Sequence, residues 1–120
     1  SYASNYEAFF LCMKGRRALN KLGQSNVWVE PRLAPQRKVH PTEKPTSLIR
    51  KIIEQSSQAG ELVIDPFAGS SSTLIAGLEL KRNVWGCELD KEYYGQGILK
   101  LEKLKNEGGV SEEKGEGEEV

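Results

Sequence analysis

Cysteine and histidine are scarce in this chain, whose 120 residues contain two cysteines and one histidine. Cys12 and Cys87 both lie in apolar runs and form no CxxC pair, so we predict buried thiols in a reducing compartment. A disulfide is not expected. No set of further ligand residues accompanies His40, and the sequence therefore predicts no metal site.

Long apolar runs are also lacking. No stretch approaches the roughly 20 residues that span a bilayer, and no signal-peptide pattern is present, so no membrane association is expected. The length allows one domain at most. Because the chain begins at Ser1 rather than at a methionine, we expect a piece of a longer protein.

Charge is balanced in total, with 17 basic and 17 acidic residues, but it is unevenly distributed. The basic side chains crowd the first half, and a cluster of acids ends the chain. This asymmetry suggests that the basic first half faces a polyanion and that the acidic end is a solvated tail. A merely soluble surface explains the charge equally well. The basic residues that we consider for phosphate contact are Arg16, Arg17, Lys21, Arg32, Arg37 and Lys38.

The first half contains few signals of regular structure. Residues 6–15 are apolar and aromatic-rich, which predicts a strand, and residues 27–29 predict a second, short one. Residues 16–26 have the composition of a loop. The four prolines in residues 31–45 exclude a regular helix and predict an extended basic segment.

The second half alternates helices and strands. We predict helices over 45–60 and 71–81, strands over 62–64 and 84–88, and a third helix capped by Asp90. The buried side of that third helix would contain Tyr94, Ile98, Leu101 and Leu104, and Gly95 and Gly97 are weak helix formers within it. Strands joined by a helix imply a parallel crossover in an open α/β sheet, but so few strands make only half of such a fold.

Asp65, at the end of the first parallel strand, begins the turn of greatest interest. Ligands of open α/β sheets bind outside the carboxyl ends of the strands, and Gly69 in this turn permits close approach. Glu88 follows the turn by about twenty residues, the offset of an acid that accepts hydrogen bonds from both hydroxyls of a ribose.

The composition of the turn limits what it binds. It lacks the G-x-G-x-x-G of dinucleotide sites and the Gly-Lys-Ser/Thr of phosphate-cradling loops. Hydroxyl side chains in residues 70–73 instead suit an adenosine that bears an amino-acid group. The structural alternative is that Asp65 only caps the following helix and Glu88 is a surface acid.

Three segments carry a resemblance to a known family. "HPTEKP" (40–45), "DPFAGSSST" (65–73) and "GCELDKEYY" (86–94) resemble motifs of amino-group DNA methyltransferases, which methylate N6 of adenine or N4 of cytosine with S-adenosylmethionine. Their order is similar to the permuted β-type arrangement. The resemblance implies an α/β fold, an incomplete Rossmann-like fold of S-adenosylmethionine-dependent methyltransferases, with part of an open, mostly parallel sheet and flanking helices.

The resemblance also implies roles for individual residues. Asp65, Phe67 and Gly69 are expected beside the methionine part and sulfonium, and Glu88 at the ribose. Thr42 and Lys44 match positions near the cofactor carboxylate, and His40 matches a structural one. The complete set of implied cofactor ligands is Thr42, Lys44, Asp65, Phe67, Gly69, Ser70, Ser71, Thr73 and Glu88.

Two departures from the family pattern limit the expected activity. Ser71 stands where the family commonly has a glycine, and it either adds a hydrogen bond or crowds the methionine. The Asp/Asn/Ser-Pro-Pro-Tyr/Phe tetrapeptide that holds the target amine is absent from residues 1–120. We expect it upstream of Ser1, and we therefore expect no catalytic residue and no methylation activity in this chain alone.

The resulting hypothesis is a C-terminal portion of a methyltransferase domain over 1–106, with a basic segment over 1–45 and a cofactor-binding region over 46–106. Residues 107–120 would form an acidic, disordered tail. Double-stranded DNA and a missing N-terminal catalytic half, or a complementing chain, are the expected partners, and a homodimer is an option. The family implies a cytoplasmic, bacterial or phage-encoded enzyme. The alternative is a non-catalytic nucleic-acid or protein interaction module with a vestigial cofactor pocket.

Overall fold

A computed structural model describes residues 7–30 and 46–108 of the chain. Its strands β1 and β2 pair in parallel, with Val63 opposite Val84 and Asp65 opposite Gly86. This arrangement confirms the predicted unit of two parallel strands joined by a helix. The elements follow one another in the order α1 (Thr46–Ser56), β1 (Leu62–Asp65), α2 (Ser72–Glu79), β2 (Asn83–Gly86) and α3 (Lys91–Gly108).

The core lies between α2 and one face of the sheet. Leu74 and Ala76 of α2 are buried, Ala76 completely. Glycines permit this close packing: a Cβ at Gly77 would lie 2.6 Å from Cγ1 of Val84, and a Cβ at Gly86 would lie 2.8 Å from Cδ1 of Leu74. The turn that connects β1 to α2 therefore joins two closely packed elements.

The opposite face of the sheet is uncovered in the part of the chain that the structure describes. Leu62 and Ile64 of β1 and Trp85 of β2 are 58%, 57% and 54% exposed. Parallel sheets are normally covered on both faces. The predicted half-built sheet is therefore what the structure shows.

Helix α1 ends at Ser56, earlier than the predicted end near residue 60. The Ser57 hydroxyl donates a hydrogen bond to the carbonyl of Ile53 at 2.7 Å, and the Ser56 hydroxyl donates to the carbonyl of Ile52 at 2.5 Å. Serine side chains that bond to preceding carbonyls compete with the helical ladder. The chain then turns at Gly60, whose φ is 86°, before it enters β1.

Helix α3 begins as predicted. Oδ1 of Asp90 accepts hydrogen bonds from the backbone N–H groups of Glu92 and Tyr93, both at 3.0 Å, as an N-cap does. The helix reaches Gly108, so it extends into the region predicted as a tail. Residues 109–120, which contain the rest of that predicted tail, lie outside the described residues.

The prediction of which α3 residues are buried was partly wrong. Tyr94 and Ile98 are exposed, Leu101 and Leu104 are half-buried, and Gly97 is buried. The helix meets its neighbours at Gly97 because a residue without a side chain allows the closest approach. Long apolar side chains on the adjacent face therefore remain partly in solvent.

The two strands predicted in the first half do not form. Residues 7–30 contain no strand and no helix in the structure. A strand needs a neighbour that accepts and donates its backbone hydrogen bonds, and this segment instead binds the end of α1. The N–H of Asn20 donates to the Gln55 carbonyl at 2.9 Å, and its side-chain amide donates to the Ser57 carbonyl at 2.5 Å.

Cys12 belongs to this segment, and the expectation that it is buried was wrong. It is exposed, whereas Cys87 is half-buried after β2, and both are free thiols. Apolar neighbours alone did not bury Cys12, because its segment remains outside the core. The predicted extended segment over residues 31–45 lies outside the described residues.

Lys81 occupies a left-handed position directly after α2. It follows α2 with φ 66°, and its N–H donates to the Leu78 carbonyl while the N–H of Arg82 donates to Gly77. This is the bonding pattern of a helix end that favours glycine at the left-handed position. We expect Lys81→Gly to raise the free energy of unfolding by about 1 kcal/mol. Denaturant unfolding measures it, and Lys100→Gly, inside α3, should lower that energy instead; a loss in Lys81→Gly would contradict the prediction.

Candidate functional site

The turn after β1 lies along the continuation of β2. The N–H of Cys87 donates to the Asp65 carbonyl at 3.2 Å, and the N–H of Ala68 donates to the Cys87 carbonyl at 2.9 Å. Oδ1 of Asp65 accepts the N–H of Phe67 at 2.9 Å. The Asp65 side chain thus stabilises its own turn, and the N-cap position of α2 is taken by Ser71.

Glu88 binds this turn directly. Its Oε1 accepts the Gly69 N–H at 2.9 Å, and its Oε2 accepts the Asp90 N–H at 3.1 Å. A carboxylate offers about four lone-pair sites, so both oxygens retain acceptor capacity after these two bonds. The structural alternative, in which Asp65 caps α2 and Glu88 is a surface acid, does not describe this geometry.

The hydroxyl-bearing part of the turn is packed rather than open. Ser70 and Ser71 are only 3% and 6% exposed. Ser71 has φ 72° and ψ 24°, a left-handed conformation, and among the described residues its side chain makes no capping bond to α2. Its N–H donates to the Ala68 carbonyl at 2.8 Å, and its carbonyl accepts the Ile75 N–H at 2.9 Å. Glycine would adopt this conformation without strain.

Gly97 of α3 is a residue of this site that the sequence interpretation missed. A Cβ at Gly97 would lie 2.3 Å from the Ser71 hydroxyl oxygen and 3.5 Å from the carbonyl carbon of Ser70. The sequence interpretation treated Gly97 only as a weakness in a helix. A helical glycine beside good helix formers is also a sign of close packing, and that signal was available.

The other predicted cofactor residues are partly described. Phe67 is 87% exposed beside the turn, and Thr73 is half-buried in the first turn of α2. Leu89, which follows Glu88, is almost fully exposed at the same edge. Thr42 and Lys44, together with His40, lie outside the described residues. The structure therefore brings together Asp65, Phe67, Gly69, Ser70, Ser71, Thr73 and Glu88.

The described members of the predicted phosphate-binding set, Arg16, Arg17 and Lys21, lie away from this turn. Nη2 of Arg17 donates to Oε2 of Glu61 at 2.8 Å, and this bond lowers the pKa of Glu61 and raises that of Arg17. Glu61 precedes β1, so Arg17 lies at the amino edge of the sheet, opposite Glu88. The N–H of Lys21 donates to the side chain of Gln55 at 3.2 Å, and Arg16 is exposed. Arg32, Arg37 and Lys38 lie outside the described residues.

The described residues contain no group of three or more histidine, cysteine, aspartate or glutamate side chains arranged to hold a metal ion. None of their helices combines the length and apolar character that crossing a membrane requires.

Comparison with known proteins points to one family. The family described as DNA methylase (N6_N4_Mtase) matches residues 5–98. The DNA adenine methyltransferase YhdJ of Escherichia coli (strain K12) is 40% identical over 80 residues, a region covering 64% of this chain. The type II methyltransferase M.HpaI of Haemophilus parainfluenzae is 33% identical over 98 residues, or 77% of this chain.

A solved structure is similar as well. The crystal structure of the M1.HpyAVI–SAM complex matches with a TM-score of 0.60 and 31% identity, covering 70% of this chain and 43% of that one. The matched regions amount to 27% of YhdJ and 31% of M.HpaI, so this chain spans about a third of these curated relatives or less.

Proposed function

This chain belongs to the DNA methylase family that matches residues 5–98, and we propose that it forms the S-adenosylmethionine-binding part of a DNA methyltransferase. The whole enzyme would transfer a methyl group to an exocyclic amine, N6 of adenine or N4 of cytosine. The similar crystal structure of M1.HpyAVI is a complex with SAM, which supports the choice of cofactor. When bound, this cofactor supplies an electrophilic methyl group.

The single observation that carries the proposal is the bond between Glu88 and Gly69. It joins the segment that follows β2 to the turn after β1 at the carboxyl edge of the sheet, 2.9 Å from oxygen to nitrogen. Ligands of open α/β sheets bind at this edge. The remaining lone pairs of Glu88 would accept the two ribose hydroxyls, and Gly69 would allow the methionine part to approach the backbone.

The other residues of the turn would complete the site. Asp65 keeps the turn bent through its bond to the Phe67 N–H, and this leaves the Phe67 ring exposed for contact with a ligand. The hydroxyl groups of Ser70, Ser71 and Thr73 are proposed to lie toward the cofactor's amino-acid end. Thr42 and Lys44 are proposed to bind its carboxylate by charge-assisted hydrogen bonds.

Methyl transfer would require protein outside this chain. Residues 1–120 contain no Asp/Asn/Ser-Pro-Pro-Tyr/Phe tetrapeptide to hold the target amine. The sheet face formed by Leu62, Ile64 and Trp85, which the described residues leave half-exposed, supports the same idea, because parallel sheets are normally covered on both faces. We propose a complementing catalytic part as the partner at this face, in preference to a second copy of the chain.

DNA contact is proposed through phosphates, which position a protein without reading sequence. Arg16, Arg17 and Lys21 are the described members of the basic set, and Arg32, Arg37 and Lys38 complete it. Arg17 already binds Glu61, so a phosphate would compete with that ion pair. Salt dependence of binding to duplexes of unrelated sequence would test this contribution.

Isothermal titration calorimetry of the chain with S-adenosylmethionine tests the main proposal. We expect a saturable, one-site heat. In parallel, the chain incubated with labelled cofactor and duplex DNA should leave no label in the DNA. Absence of binding heat from the folded chain would contradict the proposal and favour the non-catalytic interaction module. Label in the DNA would contradict the requirement for a complementing part.

A further inference from the structure

Helix α3 contacts the turn between β1 and α2, residues 66–71, from two directions; we call this segment the cofactor turn. At its start, the Asp90 N–H donates to Glu88, and the other oxygen of the Glu88 carboxylate accepts the Gly69 N–H. Farther along the helix, Gly97 lies against Ser70 and Ser71. The turn is therefore enclosed between the acid that precedes α3 and the buried glycine within it.

We propose that Gly97 is a positioning residue, through which α3 holds Ser71 in its left-handed conformation and keeps the Gly69 N–H within reach of Glu88. This inference rests on the proposed function, because it concerns the same cofactor turn. It assigns to a residue outside the recognised motifs the task of shaping the turn. Gly97 itself touches no reacting group.

The distances around Gly97 show why the contact is sensitive. A Cβ there would lie 2.3 Å from Oγ of Ser71, 3.2 Å from its Cβ and 3.5 Å from the carbonyl carbon of Ser70. Rotation about χ1 of Ser71 would relieve the first contact. The second is tighter than ordinary packing and does not depend on χ1, so the backbones of α3 and Ser71 must separate by a few tenths of an ångström, and we propose that Ser71 moves.

A shift of the Ser71 backbone would also move Gly69, because both residues belong to the same tight turn. The Ser71 N–H donates to the Ala68 carbonyl at 2.8 Å, so these residues close a tight turn around Gly69. Displacing Ser71 therefore displaces the Gly69 N–H relative to Glu88. Removing the Ser71 side chain removes both close contacts, and the next nearest atom, the Ser70 carbonyl carbon at 3.5 Å, is at an ordinary packing distance.

The test is a double-mutant cycle of Gly97→Ala and Ser71→Gly in the full chain. We expect Gly97→Ala to weaken S-adenosylmethionine binding about tenfold, in line with typical costs of overpacking. We expect the double variant to bind within about twofold of Ser71→Gly alone. Amide hydrogen exchange at residues 69–71 of the free chain should accelerate in Gly97→Ala and recover in the double variant.

Two glycine variants serve as matched controls. Gly95→Ala lies in the same helix with nothing within 4 Å of the added Cβ, so binding should not change. Gly77→Ala meets Cγ1 of Val84 at 2.6 Å, away from the turn. It should lower thermal stability without a selective loss of cofactor affinity, which separates positioning of the turn from general destabilisation.

Each outcome decides a separate point. Unchanged exchange at residues 69–71 in Gly97→Ala, or a loss that Ser71→Gly does not reverse, overturns the role of Gly97. So does an affinity loss of equal size in Gly77→Ala at matched thermal stability. If the wild-type chain binds no S-adenosylmethionine, the proposed function fails, and the exchange measurement still decides whether Gly97 shapes the turn.

Discussion

Glu88→Ala should weaken S-adenosylmethionine binding by about a hundredfold or more, because the carboxylate has two tasks. As proposed, it accepts the ribose hydroxyls, and in the structure it accepts the N–H groups of Gly69 and Asp90. Hydrogen bonds to a charged group contribute about 1.5–3 kcal/mol each. Losing two of them corresponds to about 3 kcal/mol, which is roughly a hundredfold in the dissociation constant.

Calorimetry on three variants measures this prediction. Glu88→Gln retains one acceptor oxygen but presents an NH₂ group to a backbone N–H, so its affinity should fall between those of the wild type and Glu88→Ala. Glu102→Ala removes the same charge from an exposed position of α3 and should leave binding unchanged. If Glu88→Ala, still folded by circular dichroism, binds within threefold (about 0.7 kcal/mol) of wild type, the ribose assignment is wrong.

Locally encoded elements were predictable from the sequence. The apolar residues from Leu62 onward lie between a turn glycine and Asp65-Pro66, which bound a short strand on both sides. Asp90 precedes a helical pattern and caps α3 through its own side chain, as the N-cap rule states. Such signals depend on a few neighbouring residues, and therefore need no knowledge of the tertiary fold.

The absence of strands from residues 7–30 was not predictable in this way. Residues 6–15 have the aromatic and apolar composition of a strand, but a strand exists only when another strand or edge pairs with it. In the structure, Asn20 and Lys21 of the same segment bind the last turns of α1 through Gln55. The polar loop residues thus determine where the segment lies, and the apolar residues before them remain outside the core.

The meeting of Glu88 with the turn was predictable from the sequence, whereas the packing of the turn was not. The offset between the turn and Glu88 follows from the length of a βα unit, so spacing alone suggested that they meet. The contact of Gly97 with Ser71 depends instead on the angle at which α3 crosses the turn. Within the sequence, Gly97 has only its poor helix propensity to distinguish it, and propensity does not name a partner.

Arg82→Met should produce the largest loss of stability among the variants considered, about 3 kcal/mol in the free energy of unfolding. The half-buried Arg82 guanidinium donates to the Ser57 hydroxyl at 3.0 Å, to the Ser57 carbonyl at 2.7 Å and to the Leu80 carbonyl at 2.7 Å. These bonds join the chain after α1 to the end of α2. Methionine preserves much of the stem but donates to none of the three acceptors.

Arg50→Met is the matched control, because it removes the same group from an ion pair with Glu79 at 2.5 Å. Both partners there are more than a third exposed, and exposed pairs contribute about 0–1 kcal/mol. Arg82→Lys should be intermediate, since one ammonium does not reproduce the fork of the guanidinium. Equal losses in Arg82→Met and Arg50→Met by urea unfolding would contradict the prediction.

Because Arg82 precedes β2 at the amino edge, the folded fraction of Arg82→Met should bind S-adenosylmethionine with wild-type affinity, whereas Glu88→Ala loses affinity at the carboxyl edge.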